Sequence, residues 1–392
     1  MTTIEQGSLS KAAQFARLCL RGRADPHSLQ QAQSLVESSS PFWEEFLALA
    51  NEEKISPLLY DALRERKFIP TEVERALHKE YAYTSRRNLL FFHELSIYLH
   101  RLESAGLQAI MLKGAVMAEV VYGNIALRPL LDLDLLLDLQ HVPDALQILL
   151  SVGYAQDIEP QQGAALEYEN EILLSKPGIE EVGIELHWSL FDSPYYQDLL
   201  PMDWFWDTAL PTTFGEAASL ILGPEAQILH LCGHLSLHHN REPDLLWLND
   251  IAEVIHFYKN KIDWNLLLEK AQVCKLVLPV QRVFPRVAGE LGAPIPDEVL
   301  TSCSSLSASP DETQVFAWHT APERSAAQRI WSDIVYIPDW SRRLHYVLVK
   351  LLPSPSYMIP RYRIPFRLLL PFYYLYHLLI GLYSGVHLLV RR

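Results

Sequence analysis

Asp132-Leu133-Asp134 places two carboxylates two positions apart inside an otherwise apolar run, residues 130–137. A run of that length and composition reads as a buried strand, in which residues i and i+2 point to one side. Like charges held side by side repel, and burying them unpaired is costly. A divalent cation resolves that cost. Paired carboxylates suit Mg2+, with Mn2+ as the alternative, because such an ion also takes waters and substrate phosphates. This is the chemistry of metal-assisted group transfer at a nucleotide phosphate. The structural alternatives are carboxylates that cap strand-end loops, or a simple Asp–Arg pair with Arg128, four residues before Asp132. Because the pair is self-repelling, neutralising one member, as in Asp134→Asn, is expected to leave the metal-free fold intact.

Other groups gather around this motif. Lys113-Gly114 follows a short apolar strand and opens a helix, where backbone N–H groups and the helix dipole attract phosphate; a solvated strand-end lysine is the plainer reading of Lys113. Arg128 reads equally as a phosphate contact or a structural partner. Glu185, within Gly183-Ile184-Glu185-Leu186-His187-Trp188, lies on a strand able to sit beside the Asp pair and supply a third carboxylate. His187 and Trp188 read as packing residues at the nucleotide side of the site, with base stacking by Trp188 as a lesser option. His230, His234 and His238 recur every fourth residue, a spacing that can build a zinc site. The apolar context and the lack of a His-Glu-x-x-His pattern favour instead a polar seam facing the cleft. Trp188, Trp204, Trp206 and Trp247 read as domain-interface core.

The elements that must position these groups follow from periodicity. Residues 1–85 read as a helical region, with apolar spacing in 9–20, 42–49 and 55–63 and helix starts at Asp25-Pro26, Ser40-Pro41 and Ile69-Pro70. A long helix is predicted over 71–104, ended by Gly106, with an apolar stripe through Leu89, Phe92, Leu95, Leu99 and Leu102. Residues 86–205 alternate strand and helix: strand 108–112, helix 115–122, strand 130–137, helix 143–151, then strands 169–175 and 180–187 around a turn at Lys176-Pro177-Gly178. That order predicts a small mixed sheet, so the fold class is α+β, with helical regions on either side of the sheet. Residues 206–325 read as a helical domain, through helices at 224–239, 245–258, 264–273 and 279–291. Residues 326–392 form a C-terminal segment.

Bulk composition narrows the class. At 392 residues, 49% hydrophobic and 20% charged, the chain is globular. A net charge of −14 argues against general nucleic-acid binding, which relies on basic surface. Four scattered cysteines form neither a disulfide framework nor a zinc ribbon. The N-terminus has no apolar signal core, so a cytoplasmic setting is expected. From Leu368 to Val390 there is no Asp, Glu, Lys or Arg, and arginines flank the stretch at 361, 363, 367, 391 and 392. It is long enough to cross a bilayer, but Pro371, two histidines and four tyrosines weaken that reading. A terminal helix packed on the body is expected first, and peripheral membrane contact second.

Taken together, Leu112-Lys113-Gly114, Tyr122, Arg128, Asp132-Leu133-Asp134 and Glu185-Leu186-His187-Trp188 resemble the uncharacterised nucleotidyltransferase family of the DNA polymerase β superfold. His230-Leu231-Cys232-Gly233-His234 and Trp247-Leu248-Asn249-Asp250 resemble that family's helical region, so the resemblance spans about residues 85–260. It implies transfer of a nucleoside monophosphate from an NTP, ATP favoured, to a small-molecule or protein acceptor. It also implies Asp132, Asp134 and Glu185 as catalytic and metal-ligating residues, and Lys113, Gly114, Arg128 and His187 at the nucleotide. Lys113-Gly114 stands where the superfold usually carries Gly-Ser, and Glu185 where many of its members carry Asp. The competing reading is a non-catalytic nucleotide-binding or scaffold protein that keeps the fold; a Glu185 turned away from the Asp pair would favour it.

Overall fold

The computed structural model describes residues 9–156, 165–176, 178, 182–238, 244–321 and 326–390. Ser10 accepts the Ala13 N–H and opens helix Lys11–Arg21; Asp25 does the same for His27 ahead of Pro26–Glu37. Helices Trp43–Glu52 and Ser56–Leu63 follow. The 34-residue helix Thr71–Ser104 then runs to Gly106, whose φ of 72° is the left-handed stop that glycine adopts without a Cβ penalty. Its buried face passes through Asn88, Phe91, Leu95, Tyr98, Leu99 and Leu102. Leu89, placed on that stripe by the sequence pattern, is 59% exposed: at about 100° per residue it lies roughly 120° around the helix from Leu95.

Seven strands among the described residues form one mixed sheet: β1 Ile110–Met111, β2 Asp132–Leu136, β3 Ala155–Gln156, β4 Glu171–Ser175, β5 Gly183–His187, β6 Leu210–Phe214 and β7 Ala217–Ile221. Their order is β3-β4-β5-β2-β1-β7-β6. β2 and β5 are parallel, with Asp134 opposite Glu185; β1 is antiparallel to β2 and parallel to β7. Sheet and flanking helices make the fold α+β. The start of the strand predicted at 180–187 and the turn at Pro177 lie outside the described residues, as does the predicted helix end at His239.

β6 and β7 add strands at the start of residues 206–325, which the sequence reading gave as a helical domain with its first helix at 224. They form an antiparallel pair, and β7 extends the sheet beside β1. The predicted helix 115–122 is likewise two pieces, Lys113–Val116 and a wider π-turn, Met117–Val121.

Alternation along the strands divides the interior. Leu133, Leu135, Ile184 and Leu186 face a core shared with the Thr71–Ser104 helix and helix Val142–Ser151. Residues of opposite parity, Ile110, Leu112 and Leu136, face a larger core. That core joins Phe15, Phe46 and Leu59 of the first helices to Ile228, Ile251 and Val283 of helices Pro224–Leu237, Leu245–Tyr258 and Val277–Leu291. The helices of 11–63 and 224–291, mapped to separate regions by sequence, therefore pack as one body. Arg17–Glu290 at 2.8 Å and Arg23–Glu253 at 3.2 Å tie its edges.

The terminal helix Leu370–Val390 packs on Ala326–Tyr336, Trp340–Leu351 and Pro355–Tyr362. Its inward polar groups are satisfied there: Tyr374 Oη donates to Pro353 O at 2.6 Å, and His377 sits 3.0 Å from Lys350 O and 2.7 Å from Tyr362 Oη. Among the described residues no helix is long and apolar enough to cross a membrane.

Candidate functional site

β2 and β5 set the geometry. Parity puts Asp132 and Asp134 on the sheet face away from Leu133 and Leu135, and the parallel register puts Glu185 and His187 on that same face. β4 adds Glu171, paired opposite His187. Lys113 and Gly114, just after β1, and Arg128, just before β2, close the edges of a cleft of about 230 Å3. Asp132, Asp134, Glu185, His187, Lys113, Gly114 and Arg128, the residues singled out by sequence, all line it.

Within the cleft the charges interlock. Lys113 Nζ donates to Asp134 Oδ1 at 2.7 Å and lies 4.0 Å from Glu185 Oε2. His187 Nε2 lies 3.0 Å from Asp134 Oδ1 and 3.4 Å from Glu185 Oε2, and its Nδ1 is 3.1 Å from Glu171 Oε2. Lys113 holds this position with φ of 47°, a left-handed backbone that costs a side-chain-bearing residue energy and that neighbouring contacts must fix. The solvated-lysine reading does not apply, since the Lys113 side chain is only 10% exposed.

The two aspartates titrate in opposite directions. Burial raises the Asp134 carboxyl, but Lys113 and His187 together outweigh it and hold the group well below the usual carboxylate range. Asp132 has no ion pair among the described residues; burial, then repulsion from Asp134 and Glu185, outweigh the attraction of Lys113 and Arg128 and push it up to about 7. Burial also lifts Glu185. His187 is lowered by burial and by Lys113, yet its bonds to Asp134 and Glu185 bring it up to about 9. Neutralising one aspartate is therefore expected to be free only at Asp132, whereas Asp134, the favoured charge in an ion network, is expected to cost stability when replaced by Asn, contrary to the reading from sequence.

Asp134, Glu185 and His187 each offer a donor atom within 4.8 Å of the others, a spacing able to hold a metal ion. Asp132 adds a carboxylate to the same cleft rather than to that set. The oxygen-rich donors fit a hard divalent cation; His187, held protonated by Asp134 and Glu185, would have to release its proton to join them.

Arg128 is not paired with Asp132. It is 4% exposed, donates through Nε to Asp250 Oδ2 at 2.9 Å and through Nη1 to Pro129 O, and sits 4.9 Å over the Trp247 ring. Tyr122 Oη donates to Asp250 Oδ1 and accepts from Asn249, both at 2.8 Å. Asn88 donates to Ile125 O and Arg128 O. This network fixes the loop leading into β2. Gly114 packs closely there: a Cβ would stand 2.8 Å from Leu130 Cδ2 and would force that buried side chain to shift.

Trp188 lies in the core under the sheet, on the parity of Leu186, so it offers the cleft no stacking surface. Trp247 packs against the larger core, as read for it, and also lines the cleft. His234 and His238 form part of the cleft wall, and the metal-capable set does not include them. Glu171 and Asp250 were missed. Glu171 is legible only through its pairing with His187, and Asp250 only as the end of Trp247-Leu248-Asn249-Asp250.

His230, 1% exposed behind that wall, is held near 3 by burial, Lys113 and His187. The unfolded chain takes up its proton from about pH 6.5 downward, so this group's contribution is present above that pH and is lost as pH falls toward 3. His230→Leu is expected to reduce the stability lost between pH 7 and pH 5 by about 2 kcal/mol. Urea unfolding of both proteins at the two pH values checks this; an unchanged difference refutes it.

A family model described as an uncharacterised nucleotidyltransferase matches residues 39–288. No curated protein matches the chain. Among solved structures, the crystal structure of an antigenic nucleotidyltransferase-like protein from Paracoccidioides brasiliensis is similar at 20% identity. The match covers 54% of this chain and 96% of that one, with a TM-score of 0.35.

Proposed function

This chain belongs to the uncharacterised nucleotidyltransferase family, and we propose that it transfers a nucleoside monophosphate from an NTP, ATP favoured, to a hydroxyl of a small molecule or protein. Membership makes it a transferase of phosphorus-containing groups; the donor, the metal and the acceptor are our reading. The observation that carries it is Glu185 in register beside Asp134, on the same sheet face as Asp132. A carboxylate turned away would have favoured a scaffold role.

A divalent cation, Mg2+ first, would be held by Asp134 and Glu185 beside His187, with Asp132 offering a further carboxylate from the same cleft, and would neutralise the triphosphate and align it for in-line attack. The acceptor oxygen bonds to the α-phosphorus, the bond to the bridging oxygen breaks, and pyrophosphate leaves. Glu185, raised by burial, takes the hydroxyl proton. Lys113 supplies positive charge to the phosphates from the strand end, and His187 holds Asp134 and Glu185 in place. Arg128, committed to Asp250 and Trp247, fixes the wall against which the nucleotide rests.

A thermal-shift panel of the four NTPs, with and without Mg2+, tests this. A ligand bound to the folded state at 100 times its dissociation constant adds about 2.7 kcal/mol of stability, so at least one NTP should raise the melting temperature only when Mg2+ is present. No shift with any NTP under either condition would refute the reading.

A further inference from the structure

We propose that helix Leu370–Val390 docks this protein on an anionic lipid bilayer, its outward apolar face in the headgroup–acyl boundary and the arginines before it on acidic headgroups. The described part of that face is Phe372, Leu375, Tyr376, Leu379 and Ile380, between 42% and 70% exposed, and Leu368, in the turn just before the helix, is 89% exposed. These positions recur at helical spacing, so they form one continuous stripe, and the exposed positions among them carry no charge. An exposed apolar stripe of this kind is unfavourable in water and marks an interaction surface. The neighbouring helix Trp340–Leu351, which packs on the terminal helix, leaves Trp340 79% and Leu344 60% exposed as well.

Charge identifies the occupant. The chain carries 47 Asp and Glu against 33 Lys and Arg, yet residues 340–392 contain eight Lys and Arg and no Asp or Glu. Arg361, Arg363 and Arg367 are exposed just before the stripe, and among the described residues none has an ion pair. A basic segment beside an apolar helical face is the pattern that binds anionic membrane surfaces. A second copy fits less well: a two-fold contact through this face would bring the two arginine sets toward each other with no acidic partner in 340–392. The helix lies on the surface rather than through the bilayer, because its opposite side is occupied by Tyr362, Lys350 O and Pro353 O.

Co-sedimentation of the full chain with phosphatidylcholine vesicles, with and without phosphatidylglycerol, tests the proposal. The protein should pellet with the anionic vesicles and be released by salt. Replacing Arg361, Arg363 and Arg367 by Gln should weaken partition by about fivefold per arginine. Phe372→Ser with Leu375→Ser should weaken it independently, with the melting temperature unchanged because both side chains are already in water. A full chain that stays in the supernatant overturns the proposal. So does binding that these variants leave intact, or light scattering in which they dissolve a dimer instead.

Discussion

Asp132→Asn is expected to abolish metal-dependent nucleotidyl transfer, by at least about 100-fold, while leaving the metal-free protein as stable as before or slightly more stable. The activity loss should exceed the 10–100-fold that follows removal of a partner outside the metal's own ligands. The stability result follows from the direction of the Asp132 shift. Its folded-state proton is held more tightly than in the unfolded chain, so the folded protein loses stability as pH rises from about 4 through about 7. An amide removes that loss. Asp134→Asn should also abolish transfer, but at a cost in stability, because it strips Lys113 and His187 of the carboxylate both contact. The pair of variants separates the roles: equal melting temperatures for both would refute the charge assignment, and retained transfer in Asp132→Asn would refute the site.

Strand parity made most of this site legible, because it is local. Two residues at i and i+2 share a face wherever the strand lies, and the Thr71–Ser104 helix could be bounded from Pro70 and Gly106 alone. What stayed hidden was set by distant pairing. β7, Ala217–Ile221, is rich in residues that favour helices, and only its pairing with β1, more than a hundred positions earlier, makes it a strand. Glu171 enters the cleft through register with His187 across a hairpin. The opposite behaviour of Asp132 and Asp134 depends on which carboxylate Lys113 and His187 reach, and residue types alone do not encode that. The exposed apolar stripe of the terminal helix was half legible: the apolar run was visible, but which side it turns outward depends on the helices that cover the other.

Asp250 is the position where a structural change should be largest. Asp250→Ala is expected to destabilise the protein by about 3–5 kcal/mol, the usual cost of removing one member of a buried ion pair. The cause is Arg128, 4% exposed, which would keep its charge in the interior with no carboxylate beside it. Tyr122 would lose its acceptor as well. Burial lifts the Asp250 carboxyl above its usual range even with Arg128 beside it, so the pair as a whole adds little to stability although breaking it is expensive. Replacing both ends, Arg128→Met with Asp250→Leu, should therefore recover most of the loss in urea unfolding. It should not recover nucleotide-dependent stabilisation, because the guanidinium that lines the cleft is gone. If the double variant regains both stability and the NTP shift, Arg128 is only a fold residue; if it regains stability alone, the network that anchors the loop before β2 also serves the nucleotide.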